Sequence, residues 1–265
     1  MTDVPTGHAL WYDLMTTELE GAKAFYGSVA GWTITPFEGA PEPYDMFTAP
    51  SGPIGGLMQL PDEAVAGGAP PHWLAYFATP DVDASIARAQ ELGATVSMPA
   101  MSMPEVGRFG VLTDPAGAVF ALFTPARPEP APTERAGPGQ ISWHELMTED
   151  YVKAFDFYHE ILGWEKTTAM NMGPAGTYQL FKRAGAEGDM GGMMNRPPEM
   201  PVSTWMYYIN VADLDAAVGR VAEGGGQVLH GPMEVPGGDR VCVCQDPQGG
   251  IFALHAYVEG GGIGA

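Results

Sequence analysis

Four side chains in the sequence are of types that can move protons: the carboxylates Asp13 and Glu145, and the imidazoles His72 and His255. An imidazole titrates near neutral pH, and a carboxylate that orients it makes it a general acid or base. Alternation of side chains along strands predicts that all four point to the inward face of the sheets that carry them. We therefore predict two carboxylate–imidazole pairs suited to proton transfer beside a carbonyl group.

The same alternation predicts an aromatic and apolar lining around these groups. Walls of this kind exclude water and hold a flat ligand, although buried polar residues also serve purely structural hydrogen bonds. A shift of one residue in register would invert the whole set. The residues predicted to line the ligand site are Trp11, Leu74, Tyr76, Phe123, Trp143, Met206 and Tyr208.

An internal repeat with an offset of 132 residues organises the chain. The first strand, the helix that follows it and the closing hairpin all recur in order, with a slip of four residues at a Gly-Gly motif. The matching pairs are Trp11 with Trp143, Phe25-Tyr26 with Phe157-Tyr158, Gly31-Trp32 with Gly163-Trp164, Gly55-Gly56 with Gly191-Gly192, Trp73 with Trp205, Arg108 with Arg240, and Asp114-Pro115 with Asp246-Pro247.

The repeat leaves two pairings of the proton-moving groups open. If the halves exchange βαβββ units, so that each site draws on both halves, Asp13 shares a site with His255, and Glu145 shares one with His72. If the units are not exchanged, Asp13 pairs with His72 and Glu145 with His255.

Periodicity and turn residues predict the elements of each half. Apolar spacing of three and four residues predicts helices that Gly31 and Gly93 end. Asp114-Pro115-Ala116-Gly117 predicts a hairpin turn, and the segment 98–104 a loop at the rim of a pocket. In the first half the strands are expected near 9–15, 33–36, 45–49, 54–59, 73–78, 108–113 and 119–123, and the helices near 19–30 and 82–92.

These elements predict an α+β fold of four βαβββ units in two tandem halves, with curled mixed sheets enclosing cavities. We expect a first half at residues 1–124 and a second at 140–265. Residues 125–139, rich in Pro, Ala and Glu, are expected to form a linker.

Composition excludes several classes of partner. The formal net charge is −20 with only 12 Lys and Arg, so we expect neither nucleic-acid nor membrane binding. The polar stretch from Met1 to Gly7 lacks a secretory signal. Cys242 and Cys244 lie two apart in an expected strand, where reduced thiols are typical of a cytoplasmic protein.

Other titratable residues are expected to have structural roles. His8 is predicted to be an exposed strand-end residue, and His144 a buried, hydrogen-bonded one. His230 is expected in a loop. Arg108 and Arg240 occupy equivalent positions, where they would either anchor an anionic ligand or form ion pairs.

The order of these motifs resembles the vicinal-oxygen-chelate superfamily of glyoxalases, bleomycin-resistance proteins and ring-cleaving dioxygenases. The likeness covers nearly the whole chain outside the linker. It implies the fold above and a divalent metal held by side chains of the first, fifth and last strands. The corresponding positions here are Trp11 and Trp143, His72 and Thr204, and Ala121 and Ala253.

Tryptophan and alanine supply no ligand to a hard cation. We therefore expect no cofactor, with a divalent metal at a rebuilt site as the alternative. The functional hypotheses are a metal-free acid–base lyase or isomerase acting on a small aromatic or carbonyl compound, a non-catalytic small-molecule binder, and a metal-dependent lyase or dioxygenase. The fused halves favour a monomer, with a homodimer as the alternative.

Overall fold

The computed structural model describes residues 4–40, 42–128, 130–132 and 134–258. The outermost ends of both expected halves, residue 41, and linker positions 129 and 133 lie outside the described residues.

The described residues of the first half form eight strands and three helices. The strands are β1 (Ala9–Thr16), β2 (Thr33–Pro36), β3 (Tyr44–Ala49), β4 (Gly52–Gln59), β5 (His72–Ala78), β6 (Thr95–Met103), β7 (Gly107–Thr113) and β8 (Val119–Pro125). The helices are α1 (Leu19–Val29), the short α2 (Asp62–Ala66) and α3 (Val82–Glu91).

The second half repeats this plan without the short helix. Its strands are β9 (Ile141–Thr148), β10 (Trp164–Asn171), β11 (Thr177–Arg183), β12 (Gly191–Asn195), β13 (Thr204–Asn210), β14 (Gln227–Glu234), β15 (Arg240–Gln245) and β16 (Ile251–Ala256). Its helices are α4 (Tyr151–Leu162) and α5 (Leu214–Glu223). No helix among the described residues is long and apolar enough to span a bilayer.

Each half forms one eight-stranded mixed sheet. The strand orders are β2-β3-β4-β1-β5-β8-β7-β6 and β10-β11-β12-β9-β13-β16-β15-β14. The first and last strands of each βαβββ unit pair in parallel, and the hairpins pair antiparallel. The predicted α+β fold of four βαβββ units is therefore confirmed, and neither sheet borrows a strand from the other half.

Two segments that were expected to be loops are strands. The segment 98–104 falls largely within β6, and His230 lies in β14. Both strands are edge strands whose pairing is interrupted by register shifts, near Pro99 and near Pro232. Proline cannot donate a ladder hydrogen bond, so a segment that contains proline is predicted from its sequence as a loop.

Helix ends follow their local chemistry. Asp81, Asp150 and Asp213 precede α3, α4 and α5, and each accepts hydrogen bonds from backbone N–H groups of the first turn. Gly163 ends α4 with φ of 68°, a left-handed conformation that glycine adopts without strain.

The chain packs as two compact units, each of which draws on both halves of the sequence. Of the described residues, packing unit one comprises those within 4–10, 74–134 and 144–205. Packing unit two comprises those within 11–73, 135–143 and 206–258.

The core of packing unit one surrounds Trp164, which is fully buried. Its ring stacks on Phe181 at 4.5 Å between centroids, and its indole N–H donates to the Gly7 carbonyl at 2.9 Å. Tyr158 of α4 donates its hydroxyl to Asp114 Oδ2 at 3.0 Å. A second-half tryptophan and tyrosine thus bond to first-half partners.

Packing unit two repeats the arrangement with the halves reversed. Trp32 packs on Phe47 at 4.7 Å and donates to the Gly139 carbonyl at 2.7 Å. Tyr26 of α1 donates to Asp246 Oδ2 at 2.9 Å. The motifs are therefore repeated because each core combines the Phe-Tyr and Gly-Trp motifs of one half with the Asp-Pro motif of the other.

Candidate functional site

The carboxylate of Asp13 lies at the centre of a polar cluster in packing unit two. Its Oδ1 accepts hydrogen bonds from the Tyr44 hydroxyl at 2.6 Å and from the Trp11 indole N–H at 3.0 Å. The Trp11 nitrogen also lies 2.6 Å from the Tyr44 oxygen. Asp13 is only 4% exposed, so these donors replace the water that a buried carboxylate would lose.

Packing unit one contains the equivalent pair. The Tyr178 hydroxyl donates to Glu145 Oε2 at 2.8 Å. Tyr178 is buried, whereas Glu145 is half-buried. The second pair therefore has the same donor and acceptor types as the first, with a carboxylate that is more open to solvent.

A glycine beneath each tyrosine makes the pairs sterically feasible. Gly56 on β4 is opposite Asp13, and a Cβ added there would lie 2.0 Å from Tyr44 Cζ. Gly192 on β12 is opposite Glu145, and its Cβ would lie 2.3 Å from Tyr178 Cζ. The repeated Gly-Gly motif thus clears space for a ring to cross the strand and reach the carboxylate.

Sequence reasoning missed both tyrosines. Tyr44 and Tyr178 are 134 residues apart, two more than the repeat offset of the flanking strands. The available signal was a tyrosine on one strand of a hairpin and a glycine on the other, two residues before the tyrosine's partner. Tyr44 is opposite Met58, two residues after Gly56. Tyr178 is opposite Met194, two residues after Gly192.

The two predicted histidines have different surroundings. His72 is half-buried at the start of β5, and its Nδ1 lies 2.8 Å from the Pro70 carbonyl. A carbonyl only accepts, so Nδ1 carries the proton and Nε2 is left as an acceptor. His72 belongs to packing unit two, as does Asp13, and their strands are neighbours in the sheet.

His255 is buried near the end of β16 in packing unit two. Its Nδ1 lies 2.8 Å from Ser142 Oγ, and its Nε2 lies 3.3 Å from Asp239 Oδ2. Burial lowers its pKa below the usual value, and the Asp239 carboxylate opposes this shift. The carboxylate in contact with His255 is thus Asp239, which the sequence analysis did not select.

The predicted apolar lining divides by exposure. Tyr76 packs edge-on against Phe109 at 5.7 Å and against Phe123 at 6.5 Å, and these three rings are half-buried in packing unit one. Trp11 is also half-buried. The remaining predicted residues are each less than a tenth exposed: Leu74, Trp143, Met206 and Tyr208.

Two surface depressions lie elsewhere. One, of about 350 Å³, is in packing unit one and is lined by residues of α3, β6 and Arg108. The other, of about 400 Å³, is in packing unit two beside Gly31 and Arg220. None of the predicted site residues lines either depression.

The equivalent arginines form ion pairs. Arg108 binds Asp83 through Nε at 2.7 Å and Nη2 at 2.8 Å. Arg240 binds Asp215 through its two terminal nitrogens at 2.8 and 2.9 Å. In each pair the guanidinium lowers the pKa of the carboxyl group, so the ion-pair interpretation describes both arginines.

His8 and His144 both lie in packing unit one. His144 is buried as predicted, with Nδ1 2.8 Å from the Met190 carbonyl, and burial lowers its pKa to about 4. The expectation that His8 is exposed is wrong: it is half-buried, and burial together with the nearby Arg183 charge lowers its pKa to about 4.

The residues at the metal-ligand positions do not fit a divalent metal. Ala121 and Ala253 are fully buried and carry no donor atom. Trp11 uses its one polar hydrogen on Asp13 and Tyr44. Within the part of the chain that the structure describes, no three His, Cys, Asp or Glu side chains are grouped closely enough to hold a metal ion.

Two tandem halves of two βαβββ units each, with a paired carboxylate and tyrosine in each half, define a tandem-repeat protein of the vicinal-oxygen-chelate class. The family model described as the Glyoxalase/Bleomycin resistance protein/Dioxygenase superfamily matches residues 140–254. The model described as a Glyoxalase-like domain matches residues 10–123. The chain belongs to the glyoxalase/bleomycin resistance protein/dioxygenase superfamily.

Two relatives cover nearly all of the chain. "Putative glyoxylase CFP32" of Mycobacterium tuberculosis is 34% identical over 246 residues, which is 92% of each chain. "Anthracycline biosynthesis protein DnrV" of Streptomyces peucetius is 30% identical over 286 residues, covering 98% of this chain and 97% of its own.

Solved structures share the fold at low identity. The Mn(II)-bound glyoxalase from Novosphingobium aromaticivorans aligns with a TM-score of 0.65 at 15% identity, over 96% of this chain and 83% of its own. The 2,3-dioxygenase LapB from Pseudomonas sp. KL28 aligns with a TM-score of 0.67 at 15% identity, over 97% of this chain and 94% of its own.

Proposed function

We propose that the protein binds a small, flat organic molecule carrying hydroxyl or carbonyl groups, and that its carboxylate–tyrosine pairs anchor this ligand without a divalent metal. The observation that carries the proposal is the occurrence of the same pair over a glycine in both halves. In Asp13 with Tyr44 and in Glu145 with Tyr178, the phenol donates its one hydrogen to the carboxylate, so each pair holds two oxygens side by side.

Hydrogen-bond chemistry supports this ligand class. A ligand hydroxyl donates to the paired carboxylate and phenol oxygens, and a neighbouring ligand carbonyl accepts the phenol hydrogen when the tyrosine turns it from the carboxylate to the ligand. The half-buried rings of Trp11, Tyr76 and Phe123 offer apolar faces to a flat molecule. The relatives named for glyoxylase activity and for anthracycline biosynthesis also point toward small molecules with oxygen substituents.

A second candidate function, metal-free acid–base catalysis, is favoured by one difference between the pairs. Asp13 is almost fully buried, and its Oδ1 already accepts two hydrogen bonds. Glu145 is half-buried. In a lyase or isomerase of this kind, Glu145 takes a proton from a carbon beside a carbonyl and returns it to a neighbouring atom, and Tyr178 bonds to the carboxylate throughout.

A cytoplasmic location is part of this proposal. Cys242 and Cys244 are free thiols with their sulfur atoms 3.6 Å apart, as a reducing compartment would keep them.

Ligand titration tests the binding proposal. An anthracycline aglycone and the hemithioacetal of methylglyoxal and a thiol are the probes, with binding followed by calorimetry before and after chelator treatment. Chelation should leave binding unchanged. Tyr44→Phe or Tyr178→Phe should weaken it by about tenfold, the cost of one lost hydrogen bond.

The matched control is Tyr151→Phe, which alters a tyrosine on α4 and leaves both pairs intact. Equal binding by the control and by both site variants would overturn the anchoring role. Turnover of the hemithioacetal that survives chelation and disappears in Glu145→Gln would select the enzyme over the binder.

A further inference from the structure

A chain of three polar side chains in packing unit two has no part in the proposed function. Ser142 Oγ lies 2.8 Å from His255 Nδ1, and His255 Nε2 lies 3.3 Å from Asp239 Oδ2. Asp239 is 1% exposed and also accepts the Val258 backbone N–H at 3.0 Å. Ser142 is half-buried, and its hydroxyl also lies 3.2 Å from the Tyr208 carbonyl oxygen, a second acceptor.

The order of these groups fixes the tautomer of His255. An ionised carboxylate only accepts hydrogen bonds, so the ring proton belongs on Nε2, facing Asp239. Nδ1 then presents a lone pair to the Ser142 hydroxyl. Burial keeps the pKa of His255 below its usual value, which leaves the ring neutral and able to accept a proton at pH 7.

The fold itself does not require this chain. At the equivalent positions the first half has Leu10, Gly107 and Phe123. A Cβ at Gly107 would lie 2.6 Å from the Phe123 ring, so no side chain fits where Asp239 stands in the second half. Three replacements in one place convert an apolar contact into a serine–imidazole–carboxylate sequence.

We propose that Ser142 is a nucleophile, activated by His255 and oriented through Asp239, that accepts acyl groups from activated carboxylic esters. The Ser142 oxygen attacks the ester carbonyl carbon while its proton passes to His255 Nδ1. The bond to the leaving oxygen breaks, and that oxygen takes the proton from His255. Water then attacks the acyl-serine by the same route and releases the carboxylic acid, so the cycle consumes only ester and water.

Acylation by p-nitrophenyl acetate tests the proposal on the full-length protein. The expected result is a burst of one equivalent of p-nitrophenol, with a single acetyl group that peptide mapping locates on Ser142. Ser142→Ala should abolish the burst. Asp239→Asn and His255→Gln should slow it by about 100-fold, the lower range for loss of a general base.

Two further variants keep the test decisive. Ser142→Cys retains a nucleophile at the same position and should be acylated. Acylation of this variant would show that Ser142→Ala loses the burst because it lacks the nucleophile and not because it misfolds. Ser203→Ala removes another buried serine, whose hydroxyl lies beside Thr148, and should leave the burst unchanged. Acetyl groups on other residues, or an undiminished burst in Ser142→Ala, would overturn the proposal.

Discussion

The last strands of the two halves differ in their side-chain contacts, although the cores beneath them are alike. In packing unit one, Phe123 packs against Tyr76 and over Gly107. In packing unit two, His255 occupies the equivalent position and bonds to Ser142 and Asp239. By contrast, the tyrosine–aspartate bond of the core is 3.0 Å in one unit and 2.9 Å in the other. Core contacts are thus duplicated, whereas the contacts made by Phe123 and His255 near the strand ends differ between the two units.

The largest effects should come from the duplicated cores. Trp164→Ala and Trp32→Ala each remove a buried ring and an indole hydrogen bond, and each should lower the free energy of unfolding by about 3–5 kcal/mol. Urea denaturation of both variants measures this. A much smaller loss in one variant would show that the two cores are not equivalent.

Two histidines of packing unit one should reduce stability in acid, in addition to His255 of packing unit two, whose pKa burial also lowers. His8 and His144 have pKa values of about 4, against 6.5 for the unfolded chain. The unfolded state therefore binds more protons between these values, so stability is complete above pH 6.5 and falls as the pH drops toward 4. For His144, lowering the pKa from 6.5 to about 4 corresponds to about 3 kcal/mol of stability.

The equivalent positions in packing unit two are Gln140 and Tyr12, which do not gain charge in this range. Denaturation as a function of pH should thus show a shallower slope between pH 6.5 and 4 for His144→Asn, which keeps a donor for the Met190 carbonyl. An unchanged slope in that variant would refute the assignment.

A smaller and again matched effect is expected for the buried tyrosine hydroxyls. Tyr26→Phe and Tyr158→Phe each remove one hydrogen bond to a buried aspartate, at a cost of about 1–3 kcal/mol. Thermal unfolding of the two variants should shift by similar amounts. A large difference would mean that the backbone N–H groups of the hairpin turns stabilise one aspartate carboxylate more than the other.

The smallest effect is expected for the exposed arginine pairs. Arg108→Ala and Arg240→Ala break bidentate contacts with Asp83 and Asp215 that are open to solvent. Salt screens such pairs, so any loss of thermal stability should shrink at high ionic strength. A salt-independent loss would point to packing by the arginine stems as the contribution that matters.

The fold could be predicted from the sequence because its signals are local and occur twice. Gly163, the capping Asp150 and the Asp114-Pro115 turn each specify a short stretch of backbone. The edge strands β6 and β14 were not predicted, because proline interrupts their hydrogen-bond ladders.

The site was harder to predict because its contacts join distant segments. Tyr44 reaches Asp13 only because β3 and β4 pair in one register and Gly56 leaves room. Asp239 lies just before β15, and its first-half counterpart is a glycine, so the repeat gave no signal for it. The proposed pairing of carboxylates with histidines stays a prediction.

The cross-half bonds of the two cores constrain how the chain can be made. Tyr26 can form its hydrogen bond only after Asp246, 220 residues later, has been synthesised. Trp32 likewise needs Gly139, 107 residues later. A nascent chain that has left the ribosome only as far as the linker can complete neither core, because each lacks a tryptophan, a tyrosine or their acceptors. Such long sequence separations slow folding and expose apolar surface during synthesis. Packing unit one has all of its segments once Trp205 has emerged, whereas packing unit two is complete only after β16.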